Sequence, residues 1–204
     1  MTSKDKDFKA EIVSLEKAYE DSLKLAEKIA ASSDRFDAIV GIARGGFPPA
    51  RFLCDFLNIE ELHSIQVKHY GSGAEEKEDA EVLNKDFKEL SDKNVLLVDD
   101  VNDSGKTLKA ASKFLEAAAL LKTAVIHEKD TTNFKADFVG EPVKEWRWLI
   151  YQWAAAEDVL GFLKEGDMLE ADATEAQQFL EDAYSLEVEM SLLTKILATK
   201  PAYK

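Results

Sequence analysis

The chain of 204 residues is long enough for one domain with a substantial core. Hydrophobic residues make up 46% and charged residues 32%, which is typical of a globular protein, and no apolar run approaches the roughly 18 residues of a membrane helix. The net charge of −14 argues against nucleic-acid binding, which needs a basic face.

The termini and the single cysteine add two expectations. Residues 1–10 are charged and contain no apolar segment, so the sequence does not predict a secretory signal. Cys54 cannot form a disulfide within the chain, and its apolar surroundings indicate a buried small side chain rather than a nucleophile. We therefore expect a cytoplasmic protein without membrane partners.

Hydrophobic periodicity predicts alternating helices and strands in the first half of the chain. Apolar residues at intervals of three and four indicate helices, and short runs rich in β-branched residues indicate buried strands. In chain order the predicted elements are a helix over 8–31, a strand over 38–42, a helix over 49–57, a strand over 62–70 and a polar loop over 71–84.

The second half continues the alternation. In chain order it has a predicted strand over 95–98, an amphipathic helix over 107–121, a strand over 123–127 and short strands over 137–139 and 148–150. Strands that alternate with helices of this length predict an α/β fold with a mostly parallel sheet flanked by helices. In such sheets ligands bind beyond the carboxyl ends of the strands.

The last part of the chain is acidic and helical. Residues 157–204 contain 11 Asp/Glu and 4 Lys, and apolar residues recur at helical spacing over 165–197. This pattern predicts one amphipathic helix or a helix pair, packed either on its own domain or on a partner subunit. We therefore expect a first domain over 1–156 and a helical C-terminal extension over 157–204.

The segment from Val95 to Thr107 is the most informative. An apolar strand runs into Asp99 and Asp100, and a short polar loop then leads into a helix. A helix start that follows a glycine is a suitable phosphate site, but acids beside it imply a ligand that also brings hydroxyls or Mg²⁺. A loop that binds a nucleoside triphosphate would need glycine at position 100, where this chain has Asp100, so that motif is absent. An ordinary helix cap would need only one of these polar residues and does not explain the others.

This segment resembles the phosphoribosyl pyrophosphate signature of type I phosphoribosyltransferases, with Asn102 in place of a residue that is usually aliphatic. The resemblance implies that Asp99 and Asp100 engage the ribose hydroxyls, partly through water and Mg²⁺. It also implies that a loop binds the 5-phosphate through Asp103, Ser104, Gly105, Lys106 and Thr107.

The turn Arg44-Gly45-Gly46 supports the same resemblance. In these proteins a pyrophosphate loop follows the first core strand, and paired glycines let backbone amides face the pyrophosphate. Arg44 would add a charged, forked donor. The resemblance also implies a cis peptide bond at Ala43–Arg44.

The region 123–153 resembles xanthine–guanine and archaeal purine phosphoribosyltransferases. By this resemblance Lys129 donates to the purine O6, Trp148 stacks on the base, and the backbone of Leu149 reads its pyrimidine edge. A lysine has donors only, so it favours a 6-oxopurine over adenine. The plainer alternatives are a surface lysine and a core or interface aromatic, and we expect structural roles for Trp146 and Trp153.

The resemblance implies a type I phosphoribosyltransferase fold with a small C-terminal hood. It also implies a purine phosphoribosyltransferase activity. Phosphoribose passes from phosphoribosyl pyrophosphate to hypoxanthine, guanine or xanthine, with Asp103 as the catalytic base and Mg²⁺ as the cofactor. The loop over 71–84 would close over the site, and the protein would form a homodimer or homotetramer. Apolar residues at Ile150 and Ala154, where bacterial relatives carry acids, leave the preferred base open. An adenine-using enzyme and a non-catalytic regulator of the same fold remain alternatives.

Overall fold

The computed structural model describes residues 8–69, 80–83 and 87–203. Contacts divide the chain into two compact units: unit 1 comprises residues 1–17 and 146–204, and unit 2 comprises residues 18–145. The predicted domain boundary after residue 156 stays a prediction.

The helices and strands follow one another as β1 (Ala10–Val13), α1 (Leu15–Ala30), β2 (Ala38–Ala43), α2 (Phe47–Leu57), β3 (Glu61–His69), β4 (Ala80–Val82), β5 (Asn94–Asn102), α3 (Lys106–Phe114), β6 (Leu120–Lys129), β7 (Phe138–Val143), β8 (Trp148–Tyr151), α4 (Ala155–Glu165), α5 (Ala173–Tyr184) and α6 (Met190–Ala198). Short 3-10 helices cover Lys88–Leu90 and Lys200–Tyr203. This order confirms the alternation of helices and strands.

Unit 2 contains a sheet whose strands, among the described residues, lie in the order β4-β3-β2-β5-β6-β7. The strand β4 is antiparallel to β3, and the other neighbours are parallel. Ala38 lies opposite Glu61 of β3 on one side and opposite Val95 of β5 on the other. The strand order therefore reverses between β2 and β5, and that is where open parallel sheets form a ligand-binding crevice.

Helices cover both faces of this sheet, which explains why the stretch Val95–Val98 of β5 is continuously apolar. Leu96 and Val98 pack in a cluster with residues of α1 and α2, whereas Val95 and Leu97 pack in a cluster with residues of α3. All four side chains are fully buried. A strand that is covered on both sides reads as a continuous hydrophobic run.

Unit 1 combines a two-stranded parallel sheet with helices. Ala10 of β1 lies opposite Trp148 of β8, and the strands share an apolar cluster with α4, α5 and α6. The helix α5 begins with a capping box formed by Asp172 and Glu175. The amphipathic pattern over 165–197 is therefore a helix pair, one of the two arrangements that the sequence left open.

Two predicted helices have different bounds in the structure. Residues predicted as the start of a helix at position 8 form β1, and the helix α1 begins at Leu15. The helix predicted over 107–121 ends at Phe114, and the strand β6 begins at Leu120. Backbone pairing of Leu120 with Asn94 of β5 overrides the helical spacing of the local sequence.

The architecture confirms the predicted fold class, an α/β fold with a mostly parallel sheet flanked by helices. None of the helices within the described ranges combines the length and apolar character that crossing a bilayer requires.

Candidate active site

The strand β5 carries two adjacent carboxylates to its carboxyl end. Asp99 is 8% exposed, and its carboxylate accepts a hydrogen bond of 3.0 Å from the backbone N–H of Asp100. The carboxylate of Asp100 accepts one of 2.8 Å from the N–H of Val101. The strand continues to Asn102, so the acids lie within the sheet rather than in the loop that follows.

Burial, and then the charge of Asp100, raise the pKa of Asp99 well above its ordinary value, because both disfavour the ionised carboxylate. A cation or a set of hydroxyl donors at this place would offset that cost. Within the part of the chain that the structure describes, no three His, Cys, Asp or Glu side chains are grouped to hold a metal. Two carboxylates fit a magnesium ion that takes its other oxygen ligands from water and a phosphorylated substrate.

The loop after β5 turns at Gly105. This residue has a φ of +84°, which side chains rarely allow, and it directly precedes the helix α3. Because Gly105 has no side chain, the loop backbone can turn tightly at the start of α3, where the positive end of the helix dipole lies. Ser104, Lys106 and Thr107, the other predicted phosphate ligands, flank this turn.

The turn Arg44-Gly45-Gly46 lies against the acids of β5. A Cβ atom on Gly45 would come within 2.3 Å of a carboxylate oxygen of Asp100, and one on Gly46 within 2.7 Å of the Cα of Asp99. The glycines therefore allow the turn after β2 to pack closely on the acidic end of the strand β5. The Ala43–Arg44 peptide bond is cis, as predicted, and the Arg44 side chain is exposed.

Lys129 lies at the end of β6 and is only 3% exposed. Its Nζ donates to Oδ2 of Asp103 at 2.7 Å. The surface-lysine alternative for Lys129 is therefore wrong. The pair places an ammonium donor beside a carboxylate acceptor at the carboxyl end of β6.

A set of residues that sequence reasoning missed supports this arrangement. The segment 130–136, which follows Lys129, contacts the loop after β5 through the hydroxyl of Thr131 and the backbone N–H of Asn133. In the sequence, Asn102 stands out only as a departure from the family pattern, and no local signal points to Thr131.

The remaining predicted purine-binding residues belong to unit 1. Trp148 is 39% exposed, and its ring lies nearly parallel to that of Phe8 with centroids 6.2 Å apart. Leu149 pairs with Glu11 of β1. Trp146 and Trp153 contact Phe8 and Tyr151, respectively, in keeping with the structural roles expected for them.

The predicted closing loop over 71–84 lies mostly outside the described residues. Its described part contributes the strand β4, which pairs with β3.

An acidic pair and two glycine turns lie at the reversal point of a parallel sheet, the arrangement that the resemblance to type I phosphoribosyltransferases implies. The chain belongs to this family: residues 10–153 match the phosphoribosyl transferase domain.

Named relatives agree with this assignment. The chain is 29% identical over 152 residues to a xanthine-guanine phosphoribosyltransferase of Ruegeria sp. (strain TM1040), covering 71% of this chain and 85% of the relative. It is 30% identical over 151 residues to a hypoxanthine-guanine phosphoribosyltransferase of Aquifex aeolicus (strain VF5), covering 70% and 79%. The crystal structure of a purine phosphoribosyltransferase from Pyrococcus horikoshii has a TM-score of 0.60 at 28% identity, covering 70% of this chain and 92% of that one.

Proposed function

We propose that this protein transfers 5-phosphoribose from phosphoribosyl pyrophosphate to a 6-oxopurine and releases pyrophosphate. The relatives named for hypoxanthine, xanthine and guanine support this substrate class. The observation that carries it in this chain is the Lys129–Asp103 pair, 2.7 Å apart. A 6-oxopurine has an acceptor at O6 and, before reaction at N9, a donor at N7 on the same edge, which matches this donor and acceptor.

The two glycine-turned loops bind the two ends of the phosphoribosyl donor. The backbone of 103–107 and the hydroxyls of Ser104 and Thr107 hold the 5-phosphate at the start of α3. Arg44 and the amides of Gly45 and Gly46 hold the pyrophosphate and stabilise the charge that it gains on leaving. Asp99 and Asp100 hold the ribose hydroxyls between them.

Bond exchange then takes place at C1 of the ribose. The C1–oxygen bond to pyrophosphate breaks with its electron pair going to the leaving group, and N9 of the purine forms the new bond to C1. Asp103 accepts the proton from N7, so the nucleotide leaves neutral at that ring. Lys129 donates to O6, and Trp148 and Leu149 of unit 1 keep the stacking and backbone roles that the resemblance implies.

Asp99 and Asp100 are the residues that would hold Mg²⁺, partly through water. The cofactor would neutralise the pyrophosphate charge. The chain's own contribution is the carboxylate pair, and its buried member is costly to ionise without a positive partner.

The product is a purine nucleotide made from a preformed base, so we assign the reaction to purine salvage in nucleotide biosynthesis. A chain with one cysteine needs no oxidising compartment, and we propose the cytoplasm as its location.

A homodimer or homotetramer is the assembly that we propose. On unit 2, Tyr19, Leu23 and Phe47 are large exposed hydrophobic side chains. The ring centroid of Tyr19 lies 5.2 Å from that of Phe52 and 5.1 Å from that of Phe56, so aromatic side chains of α1 and α2 contact each other here. Large exposed apolar side chains are typical of subunit interfaces, and Leu23→Glu should shift sedimentation toward the monomer.

The reaction is tested by incubating the protein with Mg²⁺, phosphoribosyl pyrophosphate and each of hypoxanthine, guanine, xanthine and adenine, and by following nucleotide formation chromatographically. We expect turnover with at least one 6-oxopurine. Turnover with adenine alone would overturn the role of Lys129. Tight binding of phosphoribosyl pyrophosphate without turnover of any base would favour the non-catalytic alternative.

The role of Asp103 has its own test. Asp103→Asn should lower kcat at least about a hundredfold, since general-base catalysis contributes about that much, with little loss of phosphoribosyl pyrophosphate binding. Loss of phosphoribosyl pyrophosphate binding with normal turnover of the remaining complex would show that Asp103 serves in substrate binding and does not accept the proton.

A further inference from the structure

A buried polar pair joins the ends of β5 and β6. Asn102 and Glu128 lie opposite each other in the sheet and are 3% and 8% exposed. The amide nitrogen of Asn102 donates to Oε2 of Glu128 at 2.9 Å and to the backbone carbonyl of Phe134 at 2.8 Å. The same oxygen of Glu128 accepts from the backbone N–H of Ala136 at 2.8 Å. Asn102 and Glu128 therefore fix the far end of the segment 130–136, whose near end is fixed by β6.

This segment, held at both ends, packs on the phosphate loop. The N–H of Asn133 donates to the carbonyl of Ser104 at 3.3 Å. A Cβ atom on Gly105 would come within 2.7 Å of Phe134, so backbone touches backbone there. Ser104 and Gly105 of the loop after β5 therefore also help to set the position of the segment 130–136.

Thr131 projects from this segment onto Asp103. Its hydroxyl lies 3.1 Å from Oδ1 of Asp103 and 3.3 Å from the Asp103 carbonyl oxygen. Lys129 holds the other carboxylate oxygen, Oδ2, at 2.7 Å. The Asp103 side chain is 38% exposed and would otherwise be able to rotate toward solvent.

The two contacts differ in what a substrate does to them. In the proposed reaction the purine O6 takes the hydrogen bond of Lys129, and its N7–H takes Oδ2 of Asp103. The ammonium of Lys129 is then shared between the purine and Asp103 or leaves Asp103 altogether. The base uses Oδ2, so the contact of Thr131 with Oδ1 persists. The hydroxyl is the group on the segment 130–136 that can keep the carboxylate oriented while the base reacts.

We propose that Thr131 is a positioning residue that orients Asp103 for proton transfer from the purine, and that Asn102 and Glu128 hold the segment in the place where it can do so. This inference rests on the proposed role of Asp103. A residue that acts through Asp103 in this way should affect the rate of turnover more than the binding of either substrate.

Two substitutions separate the hydroxyl from the bulk of the side chain. Thr131→Val keeps the shape and removes the donor, and Thr131→Ser keeps the donor and removes a methyl group. Thr131 is exposed, so neither change should prevent folding, and thermal melting of each variant verifies this. For Thr131→Val we expect kcat to fall about tenfold to a hundredfold, with KM for both substrates within about threefold of wild type. Thr131→Ser should retain kcat within about threefold.

Three results would overturn the inference. Wild-type kcat in Thr131→Val would show that the hydroxyl is dispensable. Equal losses in Thr131→Val and Thr131→Ser would assign the effect to packing. A rise in KM without a fall in kcat would make Thr131 a binding residue.

Asp103→Asn, assayed in parallel, distinguishes a failure of the positioning role of Thr131 from a failure of the proposed role of Asp103. If Asp103→Asn is inactive and Thr131→Val is normal, the positioning role alone is wrong. If Asp103→Asn keeps full turnover, the proposed role of Asp103 as base fails and the role of Thr131 fails with it, while the transferase activity stands. If wild type turns over no base, the proposed function itself fails.

Discussion

Replacing Gly105 by alanine should destabilise the loop 103–107, the proposed phosphate-binding loop, and the geometry around Gly105 gives the size of the effect. The residue has a φ of +84°, and an added Cβ would lie 2.7 Å from both the Cβ and the backbone nitrogen of Phe134. It would also lie 2.8 Å from Oγ1 of Thr132. Contacts below 3.0 Å force something to move, and here one neighbour is backbone that cannot rotate away.

Two costs add in Gly105→Ala. An alanine in the left-handed region costs about 1–2 kcal/mol, and forcing extra volume into a packed place costs about 1–3 kcal/mol. We expect a loss of about 3 kcal/mol, which lowers the melting midpoint by about 6–12 °C in a protein of this size. Binding of phosphoribosyl pyrophosphate should weaken as well, because the segment 130–136 and the loop must separate.

Gly161→Ala is the matched control. Gly161 lies inside the helix α4, and nothing lies within 4 Å of a Cβ atom added to it. The same chemical change should therefore stabilise the protein by about 0.5–1 kcal/mol. Urea unfolding and titration calorimetry with phosphoribosyl pyrophosphate measure both variants. Equal stability changes in Gly105→Ala and Gly161→Ala, or wild-type stability in Gly105→Ala, would show that neither the positive φ of Gly105 nor its contact with Phe134 excludes a side chain.

Two further substitutions probe buried and paired carboxylates. Asp99→Asn removes a buried carboxyl whose raised pKa means that its ionisation beside Asp100 is unfavourable. At a pH where this carboxyl ionises, the ligand-free variant should melt a few degrees higher than wild type, while phosphoribosyl pyrophosphate binds about tenfold or more weakly. A lower midpoint with unchanged binding would contradict this. For Asp137, burial alone would raise the pKa, but donors from Lys122 and Thr123 outweigh it and the pKa lies below the ordinary 3.8. Because the folded pKa is depressed, the ionised group stabilises the protein above about pH 4, and this stability is lost as the pH falls further. Asp137→Asn should thus cost about 1 kcal/mol in urea unfolding at pH 7, with a gap that narrows toward pH 3 and whose constancy with pH would disprove the pairing.

Sequence patterns predicted the elements of unit 2 best where covering helices make a strand continuously apolar. Val95–Val98 was recognisable for that reason, although the strand β5 runs on to Asn102 through the acids. Polar residues at the end of a strand look like a loop in the sequence. Only the pairing with β6 shows that they belong to the sheet.

Patterns failed where a distant partner decides the local structure. The residues Ala10–Val13 carry apolar spacing that also fits a helix, and they become a strand because β8 is available to pair with them. Leu120 continues the spacing of the helix α3 but pairs with Asn94 instead. Neither partner is visible within a window of ten to fifteen residues.

The candidate site shows the same division. Asp99, Asp100 and Gly105 stand in a contiguous segment with a recognisable order, so the sequence alone singles them out as candidates. Thr131 and Asn102 act through contacts that form only when β5 and β6 lie side by side. No spacing rule connects a threonine to an aspartate 28 positions earlier.

The pairing of β1 with β8 has a consequence for how the chain is made. Position 10 meets position 148 in parallel register, so the two-stranded sheet of unit 1 cannot form until β8 has left the ribosome. The sheet described in unit 2 needs no residue beyond Val143. Since chains tend to fold as each unit is synthesised, the acids and the phosphate loop should acquire their structure first. Trp148 should be among the last of the predicted site residues to find its neighbours, because β8 is synthesised after every strand of the sheet in unit 2.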